Sequence, residues 1–310
     1  MTRVLVTGAG GAAGVAVIRA LARAGHQIVA VDADPDAAGL RLAPTGAVIP
    51  TVTELEFGPA LLRLVDEQRP QVLLTTVSEE IAALHDLAEP LAARGVACWL
   101  PPRDGTSVCL DKWKFARVLA DADVPTPPTG LGNASAVPGP WVVKPRFGRG
   151  SCDVHLVEDP QALTWACRRT PEPIVQTRIT GREFTADVLV DHDGTVAACV
   201  PRWRLATKAG ISTRGETFES PAVDDVVSRT LAAVPLTGPL NLQGFVHRDG
   251  PTVIEVNPRF SGGLPLSLAA GADLVGEVVR GALDQPLLLE RLQYRPGVRM
   301  IRYFSEAFEG

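Results

Sequence analysis

The chain has 310 residues, of which 46% are hydrophobic and 29 are glycine, so it can bury a substantial core and is expected to form two or three compact units. Its 30 basic residues are outnumbered by 35 acidic ones, which gives a net charge of −5. This balance argues against a nucleic-acid partner and for small-molecule substrates, because binding a phosphate backbone needs a concentrated basic surface.

The first hundred residues alternate short apolar strands with helices. Alternation of this kind is typical of an α/β unit with a parallel, doubly wound sheet. The prolines at positions 101 and 102 interrupt the pattern, so we predict a Rossmann-like domain over residues 1–104. Its predicted strands cover residues 2–7, 27–31, 71–76 and 96–100, and its predicted helices 15–24, 57–68 and 79–94.

The rest of the chain has an α+β pattern, which we divide into units of residues 105–176 and 177–310. A helix over 111–122 is followed by prolines and a strand at 141–144, and strands with one helix fill residues 141–200. Two further helices are predicted at 224–234 and 264–283. A polar segment from Pro201 to Glu219 carries several basic residues and glycines, and this composition predicts a mobile loop. Its basic residues are Arg202, Arg204, Lys208 and Arg214.

Cysteine and histidine spacing indicates neither a disulfide framework nor a zinc site. The five cysteines are widely spaced without a C-x-x-C pair, and no two histidines are three or four residues apart. Reduced cysteines fit a cytoplasmic protein. The chain passes from Met1-Thr2-Arg3 directly into a strand and has no apolar run of membrane-spanning length, so neither export nor a membrane association is expected.

A glycine turn follows the first predicted strand. Gly8, Gly10 and Ala13 have the spacing of a dinucleotide-binding fingerprint, and Asp32 ends the second strand. By itself this pattern suggests NAD. The same turn also joins a buried strand to a close-packed helix without any nucleotide, and we favour that structural or substrate-docking interpretation.

A lysine ends the strand at 141–144 and precedes a second glycine-rich segment. Lys144 is followed by Gly148, Arg149, Gly150 and Ser151. Backbone N–H groups of such a loop can fold over phosphates while the lysine supplies a positive charge. The alternative is a plain surface turn, but the lysine on the strand favours the phosphate interpretation.

Two predicted strands around Gly181 carry polar residues that are weaker evidence of a binding site. The edge backbone near Gln176 and Arg178 could meet the hydrogen-bonding face of a purine, and Glu183 could accept from ribose hydroxyls. Glutamate and glutamine at strand ends are more often simply solvated, so this segment alone decides nothing.

The most informative segment is a predicted hairpin near the C-terminus. Its strands flank an Asp-Gly turn, and alternation places Glu255 and Asn257 on one face, which Gln243 on the partner strand can share. These oxygen ligands suit Mg²⁺ that bridges nucleotide phosphates. Arg259 and a Ser-Gly-Gly turn follow at once, a combination that suits stabilisation of a developing anion beside a metal. The alternative is an ordinary solvated hairpin face.

In this order, the strand lysine, glycine loop, acidic residue and hairpin resemble the ATP-grasp superfamily. With its N-terminal α/β unit the whole chain looks like the carbamoyl-phosphate-synthetase-like carboxylate–amine ligases, in which a pre-ATP-grasp domain precedes a two-subdomain ATP-grasp fold. The most specific part is Glu255-x-Asn257-Pro258-Arg259 with Gln243 upstream.

The resemblance implies roles for individual residues. Lys144 would hold the α- and β-phosphates, Gly148 to Ser151 would close over them, and Lys112 or Lys114 would add a charge at the phosphate end. Gln176 and the backbone near Arg178 would lie at the adenine and Glu183 at the ribose. Two Mg²⁺ ions, for which Mn²⁺ could substitute, would be bound by Gln243, Glu255 and Asn257.

Two features depart from the family pattern. Many relatives have acidic residues where Gln243 and Gln176 stand, so metal affinity is expected to be lower here. The chain ends soon after Arg302-Tyr303-Phe304, so neither a second synthetase half nor a glutaminase module is expected, and carbamoyl phosphate synthesis itself is not predicted.

The sequence therefore predicts an ATP-dependent ligase that forms an amide from a small carboxylate and an amine through an acyl phosphate, with release of ADP and phosphate. Arg259 would pair with the acyl phosphate, and the basic loop with Arg204 and Arg214 would recognise the carboxylate and exclude water. A carboxylase or phosphotransferase of the same fold, or an NAD-binding oxidoreductase or nucleotide sensor acting through Gly8, remain alternatives. A homodimer is one open possibility for its assembly.

Overall fold

A four-stranded parallel sheet forms the N-terminal unit, in the order β3-β2-β1-β4. The computed structural model describes residues 1–132, 137–148, 150 and 152–308. The strands β1 to β4 span Arg3–Thr7, Gln27–Asp32, Thr45–Val48 and Val72–Thr75. The helices α1 to α5 span Ala12–Arg23, Ala38–Leu42, Phe57–Gln68, Glu80–Asp86 and Ala88–Ala92.

Both faces of this sheet are buried, which explains the continuous apolar runs of its strands. Val4 and Val6 face a cluster formed with α1 and with helices from the C-terminal part of the chain. Leu5 faces the opposite cluster, which includes Leu61 of α3 and Leu84 of α4. The prediction of a Rossmann-like parallel sheet is confirmed.

Two element predictions in this unit were wrong in extent. The helix predicted over 79–94 is divided into α4 and α5 at Leu87, which stands between them. The strand predicted at 96–100 is reduced to one parallel bridge between Ala97 and Val72. Pro90 and the nearby Pro101-Pro102 pair restrict regular structure at these positions.

The second unit begins with α6 (Arg103–Leu110) and α7 (Lys112–Asp121) and contains a small antiparallel sheet in the order β5-β8-β6-β7. One helix, α8 (Pro160–Arg169), packs on this sheet through Leu163 and Ala166. The strands β5 to β8 span Thr129–Leu131, Trp141–Pro145, His155–Val157 and Pro173–Thr177.

The largest sheet has six strands in the order β13-β12-β9-β10-β11-β14. On one side it packs against α7 and α9 (Pro221–Ala233), and on the other it joins the cluster that contains α1. The strands β9 to β14 span Arg182–Val190, Val196–Lys208, Ile211–Thr217, Gly238–His247, Gly250–Asn257 and Arg299–Ile301. These three sheets confirm the predicted combination of a Rossmann-like unit with a two-part α+β region, and the chain division at 104 and 176 stays a prediction.

The segment from 201 to 219 was predicted as a mobile loop, and this was wrong. It forms most of β10 and all of β11, which pair in antiparallel register with Arg202 opposite Thr217. The physical reason is that its charges have partners within the fold: Arg202 pairs with Asp187, Arg204 with Glu183, and Lys208 lies over the ring of Phe304. The basic composition of this segment was interpreted as a sign of a solvated loop.

The predicted helix over 264–283 is also divided, into α10 (Leu264–Ala270) and α11 (Leu274–Ala282). Gly271 lies between them with a φ of 122°, a backbone conformation that favours glycine, and Asp273 caps α11 by accepting from the Gly276 N–H. A 3₁₀ helix at Leu289–Leu292 follows. Within the described ranges, none of the helices combines the length and apolar composition that a membrane crossing requires.

Candidate active site

A large cavity of about 2040 Å³ lies between the three sheets. Its walls contain most of the residues that the sequence indicated as a binding site. They are Lys112, Lys144, Gly148, Gly150, Gln176, Arg178, Arg204, Gln243, Glu255, Asn257 and Arg259. Residues that are distant in the chain therefore come together at one place, as expected for a single site.

The β12–β13 hairpin arranges the predicted metal ligands. Gln243 lies directly opposite Glu255 in the register, so their side chains share a face of the sheet. Asn257, two residues along the same face, donates from Nδ2 to Glu255 Oε1 at 3.2 Å. The predicted strands and the shared face are confirmed, while metal binding itself stays a prediction.

Glu183, predicted as the ribose ligand, contacts two of the cavity side chains, and its role at the ribose stays a prediction. Its Oε1 accepts a hydrogen bond from Gln243 Nε2 at 2.6 Å and lies 3.3 Å from Arg204 Nη1. The bond to Nε2 leaves Gln243 Oε1 as the atom that can serve as a ligand. The side chain of Arg204 also donates to Gly210 O at 2.9 Å.

Lys144 and Lys112 supply positive charge beside Glu255. Burial, together with the nearby charge of Lys112, lowers the pKa of Lys144 to about 8, although the carboxylate of Glu255 raises it. Burial also lowers the pKa of Lys112, and Glu255, Glu79 and Asp111 oppose that change. Two partly or fully desolvated ammonium groups at one place favour an anionic ligand such as a phosphate.

The glycine segment after Lys144 stays close to Lys112. Lys112 Nζ donates to Gly148 O at 2.7 Å, and Gly148 and Gly150 have positive φ values of 117° and 70°. A side chain at Gly148 would meet no atom, so glycine is required there by backbone conformation and not by space. Ser151, predicted as the last residue of this phosphate loop, lies outside the described residues, as does Arg149.

An ion pair that the sequence did not indicate fixes the start of α7 to the end of β6. Arg146 Nε and Nη2 donate to the two carboxylate oxygens of Asp111 at 2.8 and 2.5 Å. Asp111 also caps α7 by accepting from the N–H groups of Trp113 and Lys114. Burial alone would raise the pKa of Asp111, but these hydrogen bonds lower it. The clamp holds Lys112 and Lys144 in a fixed relation.

At the predicted adenine end, Gln176 is only 4% exposed and donates from Nε2 to Thr129 Oγ1 at 2.8 Å. The guanidinium of Arg178 lies 3.2 Å from Glu158, and the backbone N–H of Arg178 donates to Pro140 O. This backbone N–H therefore already has a hydrogen-bond partner within the protein. Apolar side chains complete this part of the cavity, namely Val142, Leu156, Ile179 and Ile254.

Lys114 and Arg214 do not lie at the cavity wall. Lys114 Nζ instead contacts Ser107 Oγ at 3.0 Å on the surface. Arg214 is exposed on β11, where it pairs in register with Ile301. Of the two lysines considered for the phosphate end, the structure therefore favours Lys112, and of the basic residues on β10 and β11 it favours Arg204.

A buried polar network lies under the arginine-rich side of the cavity. Arg202, which is 2% exposed, donates from Nη2 to Asp187 Oδ1 at 2.7 Å and to Ser261 Oγ at 3.0 Å. Asp187 also accepts from Asn241 and Ser267. Gly263 allows this approach, since a Cβ there would lie 1.9 Å from Arg202 Nη1. The network supports the segment that carries Arg259, whose Nη1 donates to Phe260 O at 2.8 Å.

The backbone N–H groups of the Gly8 turn donate hydrogen bonds within the N-terminal unit. Ala9 N donates to Val31 O, Gly10 N to Asp32 Oδ2 at 2.7 Å, and Gly11 N to Gly8 O. The other oxygen of Asp32 accepts from Asp34 N at 3.0 Å. These three N–H groups and both oxygens of Asp32 thus have partners within the fold, which favours the structural interpretation of this turn.

Comparisons with known proteins agree with this geometry. An uncharacterised protein, y4rH, of Sinorhizobium fredii (strain NBRC 101917 / NGR234) is 30% identical over 255 residues, which is 70% of this chain and 52% of that protein. The chain thus spans about half the length of this curated relative.

Solved structures share the fold at low sequence identity. A biotin carboxylase from Campylobacter jejuni, in complex with β-γ-ATP, has a TM-score of 0.75 at 16% identity, over 95% of this chain and 74% of that one. An L-amino acid ligase from Bacillus licheniformis has a TM-score of 0.74 at 19% identity, over 96% and 78%. The family model of the ATP-grasp domain matches residues 109–263, half of the chain, and the protein therefore belongs to the ATP-grasp family.

Proposed function

We propose that this protein is an ATP-dependent ligase that joins a small carboxylate to an amine, through an acyl phosphate, with release of ADP and phosphate. Membership of the ATP-grasp family supports the use of ATP. The likeness to a fold neighbour named as an L-amino acid ligase fits amide formation. We assign each part of the proposed reaction to the charged groups of the cavity that suit it.

The nucleotide is proposed to lie between the small sheet and the β12–β13 hairpin. The apolar residues around Gln176 would hold the adenine, and Lys112 and Lys144 would hold the phosphates. Gly148 and Gly150 give the adjoining segment the backbone freedom to close over them. Because both lysines are desolvated, their attraction for phosphate is stronger than that of exposed lysines.

The oxygen ligands of the hairpin fit Mg²⁺ that arrives with the nucleotide. One carboxylate and two amides face the cavity, and the described residues contain no cluster of three or more acidic, histidine or cysteine side chains that could hold a metal by themselves. Mg²⁺ in such sites takes its remaining ligands from phosphate and water. Bound there, the metal would cancel charge on the phosphoryl group in transfer. We propose that two ions would be held here, with Gln243, Glu255 and Asn257 as their protein ligands.

Arginine side chains would direct the carboxylate chemistry. Arg204 has its Nε buried without a hydrogen-bond partner among the described residues, so a carboxylate could satisfy it. Arg259 lies next to Asn257 at the end of the hairpin, where it could pair with the acyl phosphate. In this proposal the substrate carboxylate would lie beside Arg204 and Arg259 in the same cavity as Lys112 and Lys144.

The observation that carries this proposal is the convergence of Lys144, Lys112 and Glu255 within one cavity that Arg204 and Arg259 also line. A screen of amino acids and small carboxylates with ATP, Mg²⁺ and hydroxylamine tests it, since hydroxylamine converts an acyl phosphate to a hydroxamate that forms a coloured complex with ferric ion. We expect hydroxamate and ADP in equal amounts with at least one acid. Formation of AMP and pyrophosphate would contradict the proposal.

A carboxylase is the second candidate, because a biotin carboxylase is among the most similar folds. In that case the activated acid would be bicarbonate and the acceptor an amine or a ring nitrogen. ADP release that needs bicarbonate and no organic acid would favour this candidate over the ligase.

A further inference from the structure

The parallel sheet has a reversal of strand order between β1 and β4. After β1 the chain runs through α1 to β2 on one side, whereas after β4 it continues to the other side, where Ala97 pairs with Val72. In open parallel sheets, ligands bind in the crevice at the carboxyl ends of the two strands that flank such a reversal. That crevice here is lined by Thr7, Gly8, Thr76, Ser78 and Glu80.

Glu80 places a buried carboxylate at this point. It is 8% exposed, and its Oε2 accepts hydrogen bonds from the hydroxyls of Thr7 on β1 and Thr75 on β4, the latter at 2.8 Å. Both bonds fall on Oε2, so Oε1 keeps its capacity to accept. Burial raises the pKa of Glu80 against the effect of these hydroxyls, and the carboxylates of Asp32 and Glu79 raise it further. A cation in the crevice would relieve this repulsion.

Ser78 is a second, independent sign of a ligand. The residue is 6% exposed and lines the cavity, yet its Oγ is buried without a hydrogen-bond partner among the described residues. A buried hydroxyl without a partner costs about 1–3 kcal/mol, so such a group in a native fold needs an explanation. A donor brought by a ligand would supply one.

The crevice opens into the same cavity as the phosphate-binding lysines. Glu79, the residue before Glu80, is near enough to Lys112 for its charge to raise the pKa of that lysine against the larger effect of burial. At the other wall, a Cβ on Gly262 would lie 3.5 Å from Ala12 Cβ, so the start of α1 adjoins the turn that follows Arg259. A ligand in the crevice would therefore face the proposed acyl phosphate.

We propose that the crevice between β1 and β4 binds the amine substrate as its ammonium ion, with Glu80 as the anionic partner and Ser78 as a further hydrogen-bond acceptor. The ammonium would pass one proton to the Glu80 carboxylate before the free amine attacks the acyl phosphate and displaces phosphate. This assignment rests on the proposed ligase function, because it locates the second substrate of that reaction. The carboxylates that line this part of the cavity, Asp32, Glu79 and Glu80, disfavour an anion and favour a cation.

The test compares a neutral nucleophile with two cationic amines. Hydroxylamine is neutral at about pH 8, so it traps the acyl phosphate without need of a cation subsite. Methylammonium and ethylammonium, whose amino groups stay protonated at this pH, are cationic probes of the amine. Hydroxamate formation first identifies the carboxylate. ADP release then gives the KM values for these amines, for hydroxylamine and for ATP. These values are compared between the wild type and the variants Glu80→Gln, Ser78→Ala and Glu67→Gln.

Glu80→Gln is expected to raise the KM for the cationic amines about ten- to hundredfold, the effect of losing one charge-assisted contact, and to leave hydroxamate formation and the KM for ATP nearly unchanged. Ser78→Ala should raise the KM for the same amines several-fold while the thermal midpoint stays equal or rises, since an unpartnered buried hydroxyl is removed. If Ser78 were only structural, its replacement would not raise the amine KM while the thermal midpoint stays equal or rises. Glu67→Gln, on the exposed face of α3, is the matched control and should change nothing.

Unchanged amine KM values in both crevice variants, with wild-type hydroxamate formation intact, would overturn the amine assignment and leave the ligase proposal standing. Absence of hydroxamate from the wild type with every acid would instead contradict the ligase proposal itself. If Glu80→Gln does not fold, Ser78→Ala decides alone.

Discussion

Glu183 Oε1 accepts the Gln243 amide at 2.6 Å and faces the Arg204 guanidinium at 3.3 Å. One carboxylate oxygen thus connects a proposed metal ligand with a proposed substrate ligand. Because the amide N–H₂ of Gln243 is held by Glu183, its oxygen is directed to the other side. Groups that orient a metal ligand in this way commonly affect metal affinity almost as strongly as the ligand itself.

We expect Glu183→Ala to raise the Mg²⁺ concentration needed for half-maximal activity about 10- to 100-fold, because Gln243 loses its fixed orientation. Titration of Mg²⁺ at saturating ATP measures this. If Glu183 served only the ribose, the variant would weaken metal-free ADP binding and leave the Mg²⁺ requirement as in the wild type, which would contradict the orienting role.

Glu255→Gln should preserve the fold and lower turnover by about 10²–10³, since one electrostatic group at the reacting phosphate is removed. It should also lower the pKa of Lys144 further, because the carboxylate of Glu255 now raises it. Asn257→Ala should be less damaging, as water can replace a neutral ligand. Steady-state kinetics, with circular dichroism as a check on folding, would show this order; near-wild-type turnover of a folded Glu255→Gln protein would refute the assignment.

ADP affinity should decrease with pH above about 8, the pKa of Lys144 in the free protein. Below this value the ammonium is charged and affinity is insensitive to this group. Above it the lysine is neutral and must take up a proton to bind phosphate, so affinity falls by up to about tenfold per pH unit. Calorimetry in buffers of different ionisation enthalpy should detect proton uptake in the wild type. Lys144→Met should abolish that uptake, and a pH-independent affinity in the wild type would contradict the assignment.

The fold was predictable where the sequence pattern is local and strong. Apolar runs gave the parallel sheet, and the Asp-Gly turn with alternation placed Glu255 and Asn257 on one face of a hairpin that the structure contains. Helix boundaries near Leu87 and Gly271 were missed because the apolar pattern continues across both breaks.

The site was less predictable where partners are far apart in the chain. Asp111 and Arg146 are a clamp only because α7 and β6 meet, and neither residue has a local pattern that indicates this. The strand character of residues 202–205 was visible in the alternation of Arg202 and Arg204 with Trp203 and Leu205. Charge composition concealed it, because Asp187 and Glu183 that neutralise these arginines lie on the neighbouring strand.

Arg202→Met should be strongly destabilising. The Arg202 and Asp187 side chains are 2% and 4% exposed, and removal of one partner of a buried ion pair typically costs about 3–5 kcal/mol. Arg299→Met is the matched control, because its ion pair with Glu216 is exposed on the arginine side by 69% and should contribute under about 1 kcal/mol. Urea unfolding of both variants provides the comparison, and equal small losses would show that the buried network is not a support of the fold.

Arg204 and Arg214 offer a matched pair on adjacent strands. Both are arginines of the β10–β11 ribbon, but Arg204 lines the cavity with an unpartnered buried Nε, whereas Arg214 is exposed outside it. Arg204→Ala should raise the KM for the carboxylate about tenfold or more and increase ATP hydrolysis that is not coupled to amide formation, because one charge-assisted contact to the acid is lost. Arg214→Ala removes the same charge and should leave both quantities unchanged, with an effect on stability under about 0.5 kcal/mol. Both variants are compared by their KM for the carboxylate and by their ratio of amide to ADP. This comparison distinguishes a direct contact of Arg204 with the acid from an effect of the net charge of the ribbon. Equal effects in the two variants would mean that the net charge of the ribbon affects carboxylate binding and that Arg204 has no specific contact with the acid.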